Sequence, residues 1–115
     1  MSKHWKHTFM INIKKKCTPC EGSVHPLSDI QVQRFLKLVK GWKLINGKLQ
    51  KSYTFKNFVE ASSWLEKVKF LAEAEGHHPD IHWTWNKITL VLWTHSINGL
   101  SENDFILSSK INELK

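Results

Sequence analysis

Apolar positions in the first half of the chain recur with two different periods, three-to-four and two, and the switches between them mark its elements. Ile30, Val32, Phe35, Leu36 and Val39 fall at mixed three- and four-residue spacings after Ser28 or Asp29, either of which can cap a helix that ends before Gly41. Trp42 and Leu44, then Leu49, Tyr53 and Phe55, flank Asn46-Gly47, a dipeptide that accepts the positive φ angles of a tight hairpin. Two antiparallel strands follow. Asn57 is placed to cap a long helix whose stripe of Phe58, Ala61, Leu65, Val68 and Ala72 runs to about Glu75, where Gly76 and Pro79 stop it. Trp64 and Phe70 lie off that stripe, which asks for a wide buried face or a second contact surface.

Period two returns at Ile81, Trp83 and Trp85, and again from Ile88 to His95 after a turn near Asn86-Lys87, giving a second hairpin. In its latter strand Ile88, Leu90, Leu92 and Thr94 share one face, while Thr89, Val91, Trp93 and His95 share the other. Asn98-Gly99 makes a further turn. Ser101 with Asp104 three residues on forms a capping-box pattern for a last helix, Glu102 to Leu114, with Leu107, Ile111 and Leu114 turned inward. The order is helix, two strands, helix, two strands, helix. It predicts an α+β domain over residues 28–115, a four-stranded antiparallel sheet with three helices packed on one face. Residues 1–27 lack periodicity and carry Cys, Pro, Gly and Lys, so they are expected to be an N-terminal arm.

At 115 residues the chain holds one core, and 41% hydrophobic with 23% charged residues places it among folded domains rather than disordered chains. No apolar run is long enough to cross a bilayer, and polar residues interrupt residues 1–16 where a signal peptide needs an apolar stretch, so a cytoplasmic location is expected. The net charge of +7 raises nucleic acid as a partner. Only Lys14, Lys15 and Lys16 cluster, and the remaining lysines are spread as solvated faces are, so nucleic acid is set aside as the primary ligand. Cys17 and Cys20 have a metal or redox spacing but no second pair; His25 could be a third ligand, a fourth is missing, and the plainer reading is a reduced pair in a loop.

The chemistry concentrates at His77, His78 and His95. Pro79 disfavours helical geometry at His78, so the paired imidazoles sit in an extended helix-to-strand corner, and His95 ends the neighbouring strand. If the two strands of the second hairpin pair, the start of one lies opposite the finish of the other and the three rings converge. Imidazole exchanges protons easily at neutral pH, which suits a dehydration. Glu73, one turn before His77, could orient that ring or only sit at the helix end. His4, His7, His25 and His82 read as ordinary surface or structural histidines. Three imidazoles could also hold zinc, although no HExxH helix or well-placed acidic ligand accompanies them.

The stretches Ala72-Glu73-Ala74-Glu75-Gly76-His77-His78-Pro79-Asp80, Trp85-Asn86-Lys87-Ile88, Leu92-Trp93-Thr94-His95 and Gly99-Leu100-Ser101-Glu102-Asn103-Asp104-Phe105 closely resemble the pterin-4a-carbinolamine dehydratases. The likeness runs from about Gly41-Trp42 to the C-terminus, and the lead-in Cys17-Thr18-Pro19-Cys20-Glu21-Gly22 resembles bacterial members. The resemblance implies a compact α+β fold, a homodimer or dimer-of-dimers tetramer, and dehydration of 4a-hydroxytetrahydropterin (4a-hydroxytetrahydrobiopterin) to the quinonoid dihydropterin, with no metal or other cofactor. The substrate would come from an aromatic amino-acid hydroxylase. By position it makes His77 and His95 the acid–base candidates and His78 a residue that binds or positions the pterin. Gly76 to His78 and Trp93 to Ser96, with Trp93, Thr94 and Ser96 named for substrate binding, would line the site, and Glu73 and Asp104 would support it. Gly76 stands where many relatives have Asn or Asp, and Asn103 where some have Arg; both departures are expected to alter affinity more than chemistry.

Four of the six tryptophans, Trp42, Trp83, Trp85 and Trp93, are expected individually to be core or sheet packing, and Trp93 shares a face with His95. Two rival functions stand beside the dehydratase: a non-catalytic dimeric protein-binding module of the same fold, resembling a transcriptional coactivator, and a metal-dependent hydrolase.

Overall fold

The computed structural model describes residues 15–18 and 25–115. His4, His7, Lys14 and Cys20 therefore lie outside the described residues. Among the described residues seven regular elements follow in order: helix α1 (Asp29–Leu36), strands β1 (Lys43–Ile45) and β2 (Lys48–Thr54), helix α2 (Phe58–Glu75), strands β3 (Asp80–Thr84) and β4 (Lys87–Leu92), and helix α3 (Glu102–Asn112). A single 3-10 turn, His95–Ile97, joins β4 to the last loop.

The strands form one antiparallel sheet in the order β1-β2-β4-β3. Leu49 faces Leu92, Tyr53 faces Ile88 and Trp83 faces Ile88, so residues of one pleat parity form one apolar face. Leu49, Ile88, Leu90 and Leu92 on that face are fully buried, and Val32 and Phe35 of α1, Ala61, Trp64 and Val68 of α2, and Phe105 to Leu107 and Ile111 of α3 close over them. All three helices thus cover the same side. The other face carries Ser52 and Thr89, whose hydroxyls meet at 2.8 Å, together with the apolar Ile45 and Val91.

The local signals explain the ends. Ser28 caps α1 in a reciprocal capping box with Gln31, Asn57 caps α2 by accepting the Glu60 N–H at 2.8 Å, and Gly76 closes α2 with φ 67°. Asn46 and Gly47 take φ values of 53° and 76°, the pair of positive angles expected of their turn.

Several expectations need correction. The second hairpin turns at Trp85-Asn86, one residue earlier than expected, and Trp85 takes φ 50° and is 66% exposed instead of packing in the sheet. Its strand register is set by the buried alternation of Ile88, Leu90 and Leu92, which outweighs the cost of a tryptophan in left-handed backbone. Ile30 and Phe58, assigned to buried stripes, are exposed, whereas Trp64 is buried against Tyr53 at 4.3 Å and Phe55 at 5.2 Å. The core-facing stripe of α2 is therefore rotated toward Trp64, and Phe70 lies outside it. The last helix ends at Asn112, two residues short of Leu114.

Candidate active site

The three histidines come together because α2 ends where β3 begins, and β3 begins beside the end of β4. The αL conformation of Gly76 turns the chain out of the helix, and the His77 N–H reaches back to the Ala72 carbonyl at 3.2 Å to close the helix end. Asp80 then pairs with Val91, which sets residues 76–80 alongside residues 93–96. These two segments line one cleft of about 360 Å³, with His77, His78 and His95 all on its wall. Gly76, Trp93, Thr94 and Ser96, expected to bind substrate, line it too.

His77 is held from behind. Its Nε2 lies 2.7 Å from Oδ1 of Asp104, whose other oxygen accepts the Thr94 hydroxyl at 2.8 Å and the Ser101 N–H at 3.0 Å. Asp104 is fully buried, and the side chain of His77 is 12% exposed. A carboxylate oxygen accepts, so His77 donates from Nε2 and its Nδ1 carries the ring's lone pair. The Thr94 proton is given to Asp104, so the 2.8 Å contact between the Thr94 and Ser101 hydroxyls has Ser101 as donor. Every polar atom in this small buried network is paired, which fixes the ring more firmly than an isolated bond would.

His78 and His95 are held more loosely. His78 Nε2 meets Oε1 of Glu73 at 2.8 Å, with both side chains largely exposed. The sequence pointed to Glu73 as a partner of His77; in the folded chain it serves His78, and Asp104 serves His77. The turn at Gly76 swings His77 inward, away from the helix surface where Glu73 stands. Glu73 itself does not line the cleft, and Asp104 lies beneath it. His95 stacks on Trp93 with centroids 3.8 Å apart and planes at 28°. The Trp93 indole N–H donates to Oδ2 of Asp80 at 3.0 Å, and Lys48 Nζ lies 4.1 Å from the centroid of the indole ring. His95 Nε2 is 3.9 Å from the other Asp80 oxygen, an ion-pair distance for an imidazolium but too long for a hydrogen bond.

Asp80, Thr18 and Asn103 also line the cleft; of these only Asn103 was named beforehand, as a departure expected to alter affinity. Asp80 was legible in principle, since it opens β3 with its side chain on the same sheet face as Trp93. Thr18 gave no signal, because nothing periodic precedes Ser28. The described part of the arm, Lys15 to Thr18, lies on the ends of α2 and α3. Lys16 donates to the Ala74 carbonyl, the Cys17 N–H donates to Glu75 Oε1 at 2.8 Å, and Lys15 pairs with Glu102 at 3.0 Å. Cys17 is a buried free thiol. Burial first, and then the Glu75 carboxylate, push it up to about 12, so it stays protonated and is a poor metal ligand or nucleophile. Among the described residues no group of three or more His, Cys, Asp or Glu is arranged to hold a metal ion. No described helix is long and apolar enough to cross a membrane.

The geometry can be set beside known proteins. The sequence model of the family "Pterin 4 alpha carbinolamine dehydratase" matches residues 25–114. The chain is 43% identical over 107 residues to pterin-4-alpha-carbinolamine dehydratase 2, mitochondrial, of Arabidopsis thaliana, covering 88% of this chain and 57% of that longer protein. It is 45% identical over 102 residues to a Methylococcus capsulatus protein provisionally named for the same activity, covering 87% of this chain and 90% of the relative. Among solved structures, the transcriptional coactivator/pterin dehydratase from Brucella melitensis superposes with a TM-score of 0.72 at 28% identity, covering 76% of this chain and 96% of that one. From its ordered motifs, its α+β fold and these matches, the chain belongs to the pterin 4 alpha carbinolamine dehydratase family.

Proposed function

We propose that this chain is a hydro-lyase that dehydrates 4a-hydroxytetrahydropterins, 4a-hydroxytetrahydrobiopterin in particular, to the quinonoid dihydropterin. The observation that carries the reading is the meeting of His77, His78 and His95 on one cleft, with His77 anchored to a buried carboxylate. The reaction removes the hydroxyl from C4a and the proton from N5, so one group protonates the departing oxygen while another accepts the N5 proton. His77 and His95 are the acid–base pair. His77 is fixed in tautomer by Asp104, and His95 is fixed in plane by Trp93. His78, tied to Glu73, positions the pterin, and Gly76, Trp93, Thr94 and Ser96 form the surface the flat bicycle lies against. The protein's role beside an aromatic amino-acid hydroxylase, as a homodimer or dimer of dimers in the cytoplasm, forms part of the same proposal, as does the division into an arm, 1–27, and a domain, 28–115.

The test generates the 4a-hydroxypterin with a hydroxylase and follows its dehydration. His77→Ala and His95→Ala are expected to lower kcat by about 10²-fold or more, the range of a lost general acid or base. Unchanged rates in both variants refute the assignment. A protein-binding role is the second reading, favoured by the exposed Phe58, which stacks on Trp83 at 4.4 Å, and by exposed Trp85 nearby in sequence. It predicts no rate enhancement by the wild-type chain and a stoichiometric partner on that surface.

A further inference from the structure

Asn103 and Asp104 are consecutive residues in the first turn of α3, and each of them holds one wall of the cleft. Asp104 holds His77. The Asn103 side chain accepts the Thr18 N–H at Oδ1, 2.9 Å away, and donates from Nδ2 to the Thr18 carbonyl. A carboxamide that meets both polar groups of one peptide residue copies the pairing of a neighbouring strand, so it fixes position and direction of the backbone together. The preceding residue is fastened independently: the Cys17 N–H bonds to Glu75, the Cys17 Sγ contacts the Asn103 carbonyl at 3.6 Å, and Glu75 is itself paired with Lys110 at 2.6 Å. Thr18 and Asn103 both line the cleft.

We propose that Asn103 is a positioning residue that clamps the arm at Thr18, and that Thr18 so held is a wall of the substrate cleft that discriminates pterins by their ring substituent. This rests on the pterin reading of the cleft. The imidazoles must stand at C4a and N5 of the bicycle, which all tetrahydropterins share. A wall supplied by the arm, outside the three imidazoles, meets what differs among pterins, the substituent at C6. The chemistry of the wall, one small hydroxyl-bearing side chain on a pinned backbone, suits a short polar substituent such as a dihydroxypropyl chain.

Two readouts test it in the full chain. Affinity for an unreactive 7,8-dihydropterin is measured by calorimetry, and kcat and KM are measured for 4a-hydroxytetrahydropterins, generated by a hydroxylase, that bear methyl or dihydroxypropyl at C6. Asn103→Ala and Thr18→Gly are each expected to weaken binding of the dihydroxypropyl ligand by about three- to tenfold, as loss of one or two neutral hydrogen bonds does. Both should shift the preference between the two C6 groups in the same direction, with the change carried more by KM than by kcat. The double variant should be no worse than Asn103→Ala alone, because both act through one wall. If Asn103→Ala does not fold, Thr18→Gly, a change at an exposed position, decides the matter. Unchanged affinity and unchanged C6 preference overturn the proposal, as does a wild-type chain that binds neither pterin. A wild-type chain that binds with the predicted preference but does not dehydrate keeps the wall and removes the dehydratase reading.

Discussion

The two oxygens of Asp104 have different commitments, Oδ1 to His77 and Oδ2 to Thr94 and the Ser101 N–H. One carboxylate thus completes a helix N-terminus and orients the His77 ring, the proposed acid–base group. Removing it orphans a buried N–H, a buried hydroxyl and an imidazole at once. Asp104→Ala is therefore expected to cost about 3 kcal/mol in urea unfolding, combining a lost cap with unsatisfied buried donors. Asp104→Asn keeps the volume and an acceptor for Ser101 but offers His77 an N–H where it had a carboxylate. That variant should stay folded while kcat falls at least about tenfold, because the ring is no longer held in its Nε2–H tautomer. Retained kcat in a folded Asp104→Asn protein would show that His77 does not depend on its carboxylate. The pairing itself was only half legible. Asp104 was visible as a capping residue from Ser101, three positions earlier, but its reach to His77, 27 residues away, depends on how α3 docks, which no local pattern encodes.

At the scale of elements, Gly76 decides where α2 ends and which way both paired histidines leave it. Its φ of 67° is left-handed, and a Cβ built there would meet nothing within 4 Å, so the cost of substitution is one of backbone alone. Gly76→Ala should destabilise by about 1 kcal/mol and Gly76→Asn by less, since Asn tolerates this conformation better. Equal losses, measured by chemical denaturation, would mean that something other than backbone preference acts at this corner. Elements whose signals are local were readable: the caps at Ser28 and Asn57, the Asn46-Gly47 turn and the buried run Ile88, Leu90, Leu92. What escaped was decided by tertiary packing. Trp85 looked like the third member of an alternating strand, and Phe58 like the head of a core stripe; sheet register and helix rotation placed both outside. Trp64 moved the opposite way, because Tyr53 and Phe55 offer it tilted ring contacts.

Across the whole molecule, residues 15–18 are fastened in part by the Cys17 N–H on Glu75, a carboxylate that is itself ion-paired with Lys110 and responds to acid. Burial alone would raise the Glu75 carboxyl, but the hydrogen bond and charge of Lys110 and the Cys17 N–H outweigh it and hold Glu75 below its ordinary value. A depressed carboxyl contributes stability above its unfolded value, about 4.3, and that contribution is lost as pH falls through the folded one. In a Cys20→Ser background, Cys17 should therefore be shielded from 4,4′-dithiodipyridine at neutral pH and become accessible below about pH 4. Lys110→Met should move that exposure to higher pH. Equal reactivity from pH 7 to pH 3 would mean that the carboxylate does not hold the arm.

The cleft is built where elements end: the close of α2, the first residue of β3, the segment after β4 and the opening of α3. A chain that has zipped its second hairpin has already brought His78 near His95, yet His77 acquires its carboxylate only when the C-terminal helix docks. Recovery of turnover during refolding is thus a clock for that last assembly step, and it should lag behind the return of strand structure.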